Sequence, residues 1–237
     1  MDIRSISLIT VLIFYSGQAI SAESSANIAL LSDYKFRGIS QTDTSPAIQG
    51  GFDVAFDSGF YVGTWGSNVD FANSLELDIY AGFSGHVSES VSFDVGYLYY
   101  DYPGTTGNDD FAEVYASFSI EGFTLGGNYS DDYYNETGEA FYVYGDYEFE
   151  IAEGFSLALH YGFSDFDRRR SNAKPGEAVF LGGNADSYTD YNITLNKSFS
   201  GINFSLGYYD TDLNQTECGG SDSWCDGSFI LSMAKDL

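Results

Sequence analysis

Between positions 188 and 212 the chain reads YTDYNITLNKSFSGINFSLGYYDTD, with an apolar or aromatic residue at nearly every second position. Tyr191, Ile193, Leu195 and Phe199 alternate with Asp190, Asn192, Thr194, Asn196 and Ser198; Lys197 is the one lapse in phase. After Ser200-Gly201 the period resumes in Ile202, Phe204, Leu206 and Tyr208. A period of two is a strand with one apolar and one polar face, and a two-residue Ser-Gly break reads as a tight hairpin turn. Each arm is about ten residues long, the length of a tilted strand that crosses a bilayer. A lone hairpin of this kind fits any antiparallel sheet, but the pattern recurs along the chain about six times.

The first strand is expected over 27–38, with Ile28, Leu30, Tyr34 and Phe36 on one side and Asp33, Lys35 and Arg37 on the other. The second runs over 46–57 and the last over 228–237, for about twelve strands in all. Short connections fall near positions 58, 89, 121, 153 and 200, and every connection between them is longer. An up-and-down sheet then carries short turns at one end and long loops at the other. That is the layout of an outer-membrane barrel, and Greek-key sandwiches give no reason for it. The expected fold class is all-β, an up-and-down antiparallel transmembrane β-barrel of about twelve strands.

Which face lies inside follows from size. Twelve strands closed around an apolar face would leave a lumen too wide for those side chains to fill. Turned outward, the apolar face meets lipid and the polar face lines water. Aromatics near the strand ends fit two interfacial girdles. Phe56, Phe60, Phe123, Phe149, Phe155 and Phe199 lie toward the short turns; Tyr34, Trp65, Tyr97, Tyr129, Phe141, Tyr161 and Tyr208 lie toward the loops.

The first 22 residues read as a secretory signal peptide: Arg4, an apolar run over 6–15, then small residues ending at Ala22, with Ala19 a second cleavage candidate. Residues 23–237 form the single barrel domain. The formal charge of −26 opposes binding to nucleic acid, which needs a basic surface. A hydrophobic fraction of 43%, placed periodically, opposes disorder. Cys218 and Cys225 are the only cysteines. In an exported chain a pair this close reads as a local disulfide, with a metal site or free thiols as alternatives, and no histidine stands near to complete a zinc set.

The residues SDYKFRGISQTDTSPAIQGGFD (32–53), GFYVGTWGSNVDF (59–71), LELDIYAGFSG (75–85), VGYLYYDYPG (95–104), NYSDDYY (128–134) and GFSLALHYGFSDFD (154–167) resemble the TorF-type porins of proteobacteria. The resemblance runs through most of the mature chain. It implies a Gram-negative outer-membrane barrel acting as a channel, and it carries over no catalytic residue. Partners implied by such a protein are outer-membrane lipids and lipopolysaccharide, small hydrophilic solutes, and the barrel-insertion machinery during assembly. The chain departs from the family at its end, where an aromatic residue is replaced by Ala-Lys-Asp-Leu.

On the polar faces stand Asp53, Glu76, Asp78, Asp94, Glu113, Asp146, Glu148 and Glu150, against Lys35, Arg37 and His160. Rings of carboxylates favour cations, so the lumen is expected to be cation-selective. The same residues read equally as an internal salt-bridge network holding Lys35 and Arg37, because buried charges must be paired or solvated. Three functions are weighed: a passive channel for small hydrophilic solutes, a closed structural or adhesive barrel, and an outer-membrane lipid hydrolase or acyltransferase. The last needs a serine beside a histidine base, and Ser156 and Ser164 lie about 13 Å from His160 along its own strand. Acidic loops around Asp109, Asp131, Asp210 and Asp226 read as a solvated rim, and Arg168 to Arg170 with Lys174 as the basic cluster. There is no cofactor, phosphate-loop or zinc fingerprint.

Overall fold

A computed structural model describes residues 21–71, 75–105, 108–166, 180–183, 185–219 and 223–237. Fourteen strands follow in order: β1 Ala22–Leu31, β2 Lys35–Phe36, β3 Ile39–Ser40, β4 Ala47–Phe56, β5 Phe60–Asn68, β6 Leu75–Ser88 and β7 Val91–Asp101, then β8 Phe111–Ile120, β9 Phe123–Ser130, β10 Ala140–Ala152, β11 Phe155–Phe166, β12 Ser187–Phe199, β13 Ile202–Thr211 and β14 Ser228–Asp236. β1 and β4 to β14 make a closed barrel of antiparallel neighbours, and β2 pairs with β3 as a separate ribbon. Twelve barrel strands with up-and-down order match the expected fold class. The ring closes where β1 pairs β14, from Asn27 opposite Asp236 to Leu31 opposite Ser232.

The turns are built as the residues dictate. Glu121 and Gly122 both sit at positive φ, 48° and 82°, and so do Ser200 and Gly201, at 52° and 73°. Two consecutive left-handed residues make the turn whose twist matches a hairpin's strands. The opening stretch closes on this turn, with Phe199 opposite Ile202 and Leu195 opposite Leu206.

Burial follows the period of two. On β6, Glu76, Asp78 and Gly82 are buried while Leu75, Ile79 and Phe83 are exposed. On β13 Leu206 is 48% exposed and Gly207 beside it is buried. The apolar face therefore looks outward and the polar face inward, in the arrangement of a transmembrane barrel. Lys197, and Lys235 in β14, interrupt the outward apolar phase for a local reason. Lys197 and Lys235 stand on the outward face near the short-turn end and bend to backbone carbonyls there. Lys197 Nζ donates to Glu153 O at 3.0 Å over the Phe155 ring, and Lys235 Nζ donates to Gly201 O at 3.4 Å. Long stems cover apolar surface while the charge reaches polar groups.

The first strand differs from expectation. β1 begins at Ala22, paired with Phe56, and ends at Leu31. Residues 32–46 leave the wall. Asp33 starts the departure: one of its carboxylate oxygens accepts Ser40 Oγ at 2.6 Å and Thr42 Oγ1 at 2.9 Å, folding the chain back on itself. Arg37 and Gly38, at φ 48° and 81°, then turn β2 into β3. Tyr34 and Phe36 keep the even phase of Ile28 and Leu30 but belong to this ribbon, so they are not outward residues of the barrel wall.

Candidate functional site

The β2–β3 ribbon enters the long-loop end of the barrel and reaches its far wall. Arg37 Nη2 donates to Glu113 Oε2 on β8 at 2.7 Å, with side-chain exposures of only 8% and 1%. Tyr100 Oη and Asn128 Nδ2 donate to the same oxygen at 3.1 and 2.9 Å. The guanidinium carbon lies 4.2 Å from the Tyr142 ring centroid and 4.7 Å from that of Phe36. Tyr188 on β12 donates to the Arg37 carbonyl at 3.0 Å. Three wall strands, β8, β10 and β12, therefore contact this one residue, and β7 and β9 hold its partner Glu113.

Glu76 is treated in the same way. It is 2% exposed, and its two oxygens accept Tyr34 Oη at 2.9 Å and Tyr102 Oη at 3.0 Å. Asp78 is 7% exposed, and its Oδ1 has no hydrogen-bond partner among the described residues. Lys35, placed on the lumen wall by sequence, instead stands in the ribbon, where Nζ donates to Asp226 O at 2.6 Å. Burial lowers the Lys35 ammonium below its ordinary value, against the pull of Asp33, Asp210 and Asp226.

Deeper in the barrel the carboxylates meet tyrosines again. Tyr61 donates to Asp94 at 2.6 Å, Tyr61 and Tyr115 bond hydroxyl to hydroxyl, and Tyr80 donates to Asp53. The row behind them is Tyr61, Gly82, Gly96 and Tyr115 across β5 to β8. Each phenol lies over the glycine beside it, where a Cβ would overlap the ring. His160 Nδ1 faces Asp146 at 2.6 Å, and Nε2 faces Asp190 at 3.0 Å and Tyr142 Oη at 2.9 Å. Among the described residues no serine hydroxyl bonds His160. Glu148 accepts Ser156 Oγ at 2.5 Å, and Glu150 accepts the Gly154 amide at 3.3 Å beside a short turn. Glu148 and Glu150 are exposed, whereas Glu76, Asp78 and Glu113 are buried. The lumen is thus wet toward the short turns and filled toward the long loops.

All eight carboxylates expected on the inner face are there, and they fall into these separate groups rather than one ring. Asp190 is an inward carboxylate that the sequence reading did not single out, although it shares the polar phase of β12. The tyrosine partners were also missed, and the available signal was glycine at inward positions of neighbouring strands. Tyr34 and Trp65, expected in the outer girdle, lie inside instead. Trp65 alternates with outward Val62, Thr64 and Gly66, and its ring meets Tyr34 edge-on at 5.6 Å.

Cys218 and Cys225 are joined, with Cα atoms 6.1 Å apart, in the connection between β13 and β14. That connection clasps the ribbon. Ser40 N donates to Trp224 O at 2.8 Å, Trp224 Nε1 to Asp43 at 2.7 Å, and Thr211 Oγ1 to Cys225 O at 2.9 Å. Between ribbon and loops lies a cavity of about 280 Å³ with mainly aromatic walls. The basic cluster of Arg168 to Arg170 and Lys174 lies outside the described residues, as do positions 1–20 of the expected signal peptide.

A family match described as "Bacterial protein of unknown function (Gcw_chp)" spans residues 16–235, and the chain belongs to that family. The TorF name is not the one this match carries. No curated protein matches the chain. Among solved structures, the NanC porin is similar at TM-score 0.58 and 10% identity, with 90% of this chain and 100% of that one covered. The KdgM porin is similar at TM-score 0.54 and 7% identity, covering 89% and 98%. KdgM in complex with disordered oligogalacturonate is similar at 0.54 and 6%, covering 90% and 98%. At these identities the likeness is one of fold.

Proposed function

We propose that this member of the Gcw_chp family is an outer-membrane channel for passive diffusion of small hydrophilic solutes, cation-preferring, and constricted at its long-loop end by the β2–β3 ribbon. In this reading the N-terminal leader of residues 1–22 exports the chain, lipids and lipopolysaccharide surround the barrel, the insertion machinery assembles it, and the short turns face the periplasm. The observation that carries the reading is the polar inner face. It keeps Asp53, Asp94, Asp146, Glu148 and Glu150 on the less filled side of the lumen. The fold it shares with NanC and KdgM supports the reading, as does the resemblance to TorF-type porins.

Low-dielectric walls focus the field of such carboxylates, so they attract cations more than surface groups do. Planar-bilayer recording of the purified protein tests this. The expected outcome is conductance with a reversal potential favouring cations. The preference fades as salt rises and the screening length falls from about 10 Å at 0.1 M to about 3 Å at 1 M. Asp94→Asn weakens it more than Asp110→Asn in the loop does. An anion-selective wild type overturns the lumen assignment.

A second reading, a closed structural barrel, is favoured by one observation: Arg37 and Glu113 are spent on each other in a dry mouth. Absence of conductance in both the wild type and Arg37→Ala would select it.

A further inference from the structure

We infer that the cavity at the long-loop end is a binding site for a small organic cation of the quaternary-ammonium type, held on aromatic faces beneath two rim carboxylates. This inference concerns binding alone and stands whether or not the barrel conducts. The cavity, about 280 Å³, is near the lower limit of ligand pockets and suits a head group rather than a chain.

Its wall includes a corner of three neighbouring rings. Phe71 and Tyr102 are 5.5 Å apart, and Tyr134 stands at 86° to one and 85° to the other, at 5.9 and 5.7 Å. An aromatic face attracts a cation that comes within about 6 Å of its centroid. Asp43, Asp70 and Trp224 stand exposed on the cavity lining, which opens it to solvent on the loop side.

Charge decides the class of ligand. Among the described residues no lysine, arginine or histidine lines the cavity, whereas two aspartates do. The two cations of the ribbon are engaged elsewhere, Arg37 on Glu113 and Lys35 on the Asp226 carbonyl. Among these residues an anion finds no partner. Two of the lining hydroxyls are engaged as well, Tyr102 Oη on Glu76 and Tyr188 Oη on the Arg37 carbonyl. Those phenols show the cavity their ring carbons, which bind a methylated cation without needing its hydrogen bonds.

Trp224 provides the readout. The chain has two tryptophans, and Trp65→Phe leaves Trp224 as the only one. With this variant in maltoside micelles, choline should change the emission saturably. Its uncharged isostere, 3,3-dimethyl-1-butanol, should bind at least tenfold more weakly, and so should phosphocholine, whose phosphate meets the rim aspartates. The change Asp43→Asn with Asp70→Asn should weaken choline about tenfold, and Tyr134→Ala should abolish the response. Calorimetry on the wild type gives the same ranking without the substitution at Trp65. Equal affinity for choline and the isostere would overturn the inference in favour of a plain apolar pocket. Tighter binding of maltose than of choline would overturn it in favour of a sugar site, and no saturable signal by either method would overturn it outright.

Discussion

A carboxylate carried into a dry barrel must find donors or stay unpaired at a cost, and the two cases stand side by side on β6. Glu76 has a phenol on each oxygen, while Asp78 Oδ1 has none among the described residues. Leaving a buried charged acceptor unmatched costs about 1–3 kcal/mol or more. Asp78→Asn removes the charge and keeps the shape, so the unfolding temperature of the purified barrel should rise. A fall would show that Asp78 has a partner that matters. Glu113 is the opposite case. Glu113→Gln leaves the Arg37 guanidinium buried without a countercharge, and removing one member of a buried pair costs about 3–5 kcal/mol. The ribbon should loosen, which a lower unfolding temperature and a larger conductance would show. Unchanged values of both would mean that Arg37 does not hold the ribbon.

At the scale of elements, the short β2–β3 ribbon is too small to persist by itself. It is kept in place by Asp33 at its start, by Arg37 at its tip, and by the β13–β14 connection across its flank. The disulfide belongs to this last support. Its cysteines are 7 residues apart, so the closed loop is short and the entropy it removes from the unfolded chain is modest. Reduction, or Cys218→Ser with Cys225→Ser, should therefore barely move the unfolding temperature of the barrel. It should instead speed tryptic cleavage at Lys35 and Arg37, because Trp224 and Asp226 no longer press on the ribbon. A large drop in unfolding temperature with unaltered cleavage would reverse that assignment.

For the whole molecule, the outward apolar face is the property on which membrane residence depends. Leu195 and Leu206 stand mid-strand on that face, 37% and 48% exposed. Arg at either position should destabilise the barrel in lipid by about 2–4 kcal/mol, measured by equilibrium unfolding in vesicles. Asn203→Arg, on the wet inner face near a short turn, should cost far less. Equal costs would mean that the faces are assigned the wrong way round.

The period of two and the alternation of short and long connections are local properties, and they were enough to place twelve strands, their turns, the outward face and the inward carboxylates. Side-chain phase in a strand is set by the backbone itself, and a tight turn by the residues in it. Where the chain leaves the wall is only partly local. Tyr34 and Phe36 continue the phase of β1; Asp33 folds the segment back through Ser40 and Thr42, and contacts with Glu76, Glu113 and Trp224, tens to nearly two hundred residues away, set it in the mouth. The same holds for the phenols that meet Glu76, Glu113, Asp53 and Asp94, whereas the inward place of Trp65 is local, since it shares the phase of Tyr61 and alternates with outward Phe60 and Val62. The sequence alone determined the barrel. Closing it brought the far walls together, and that tertiary proximity decided which charges are paired, which are left wet, and what fills the mouth.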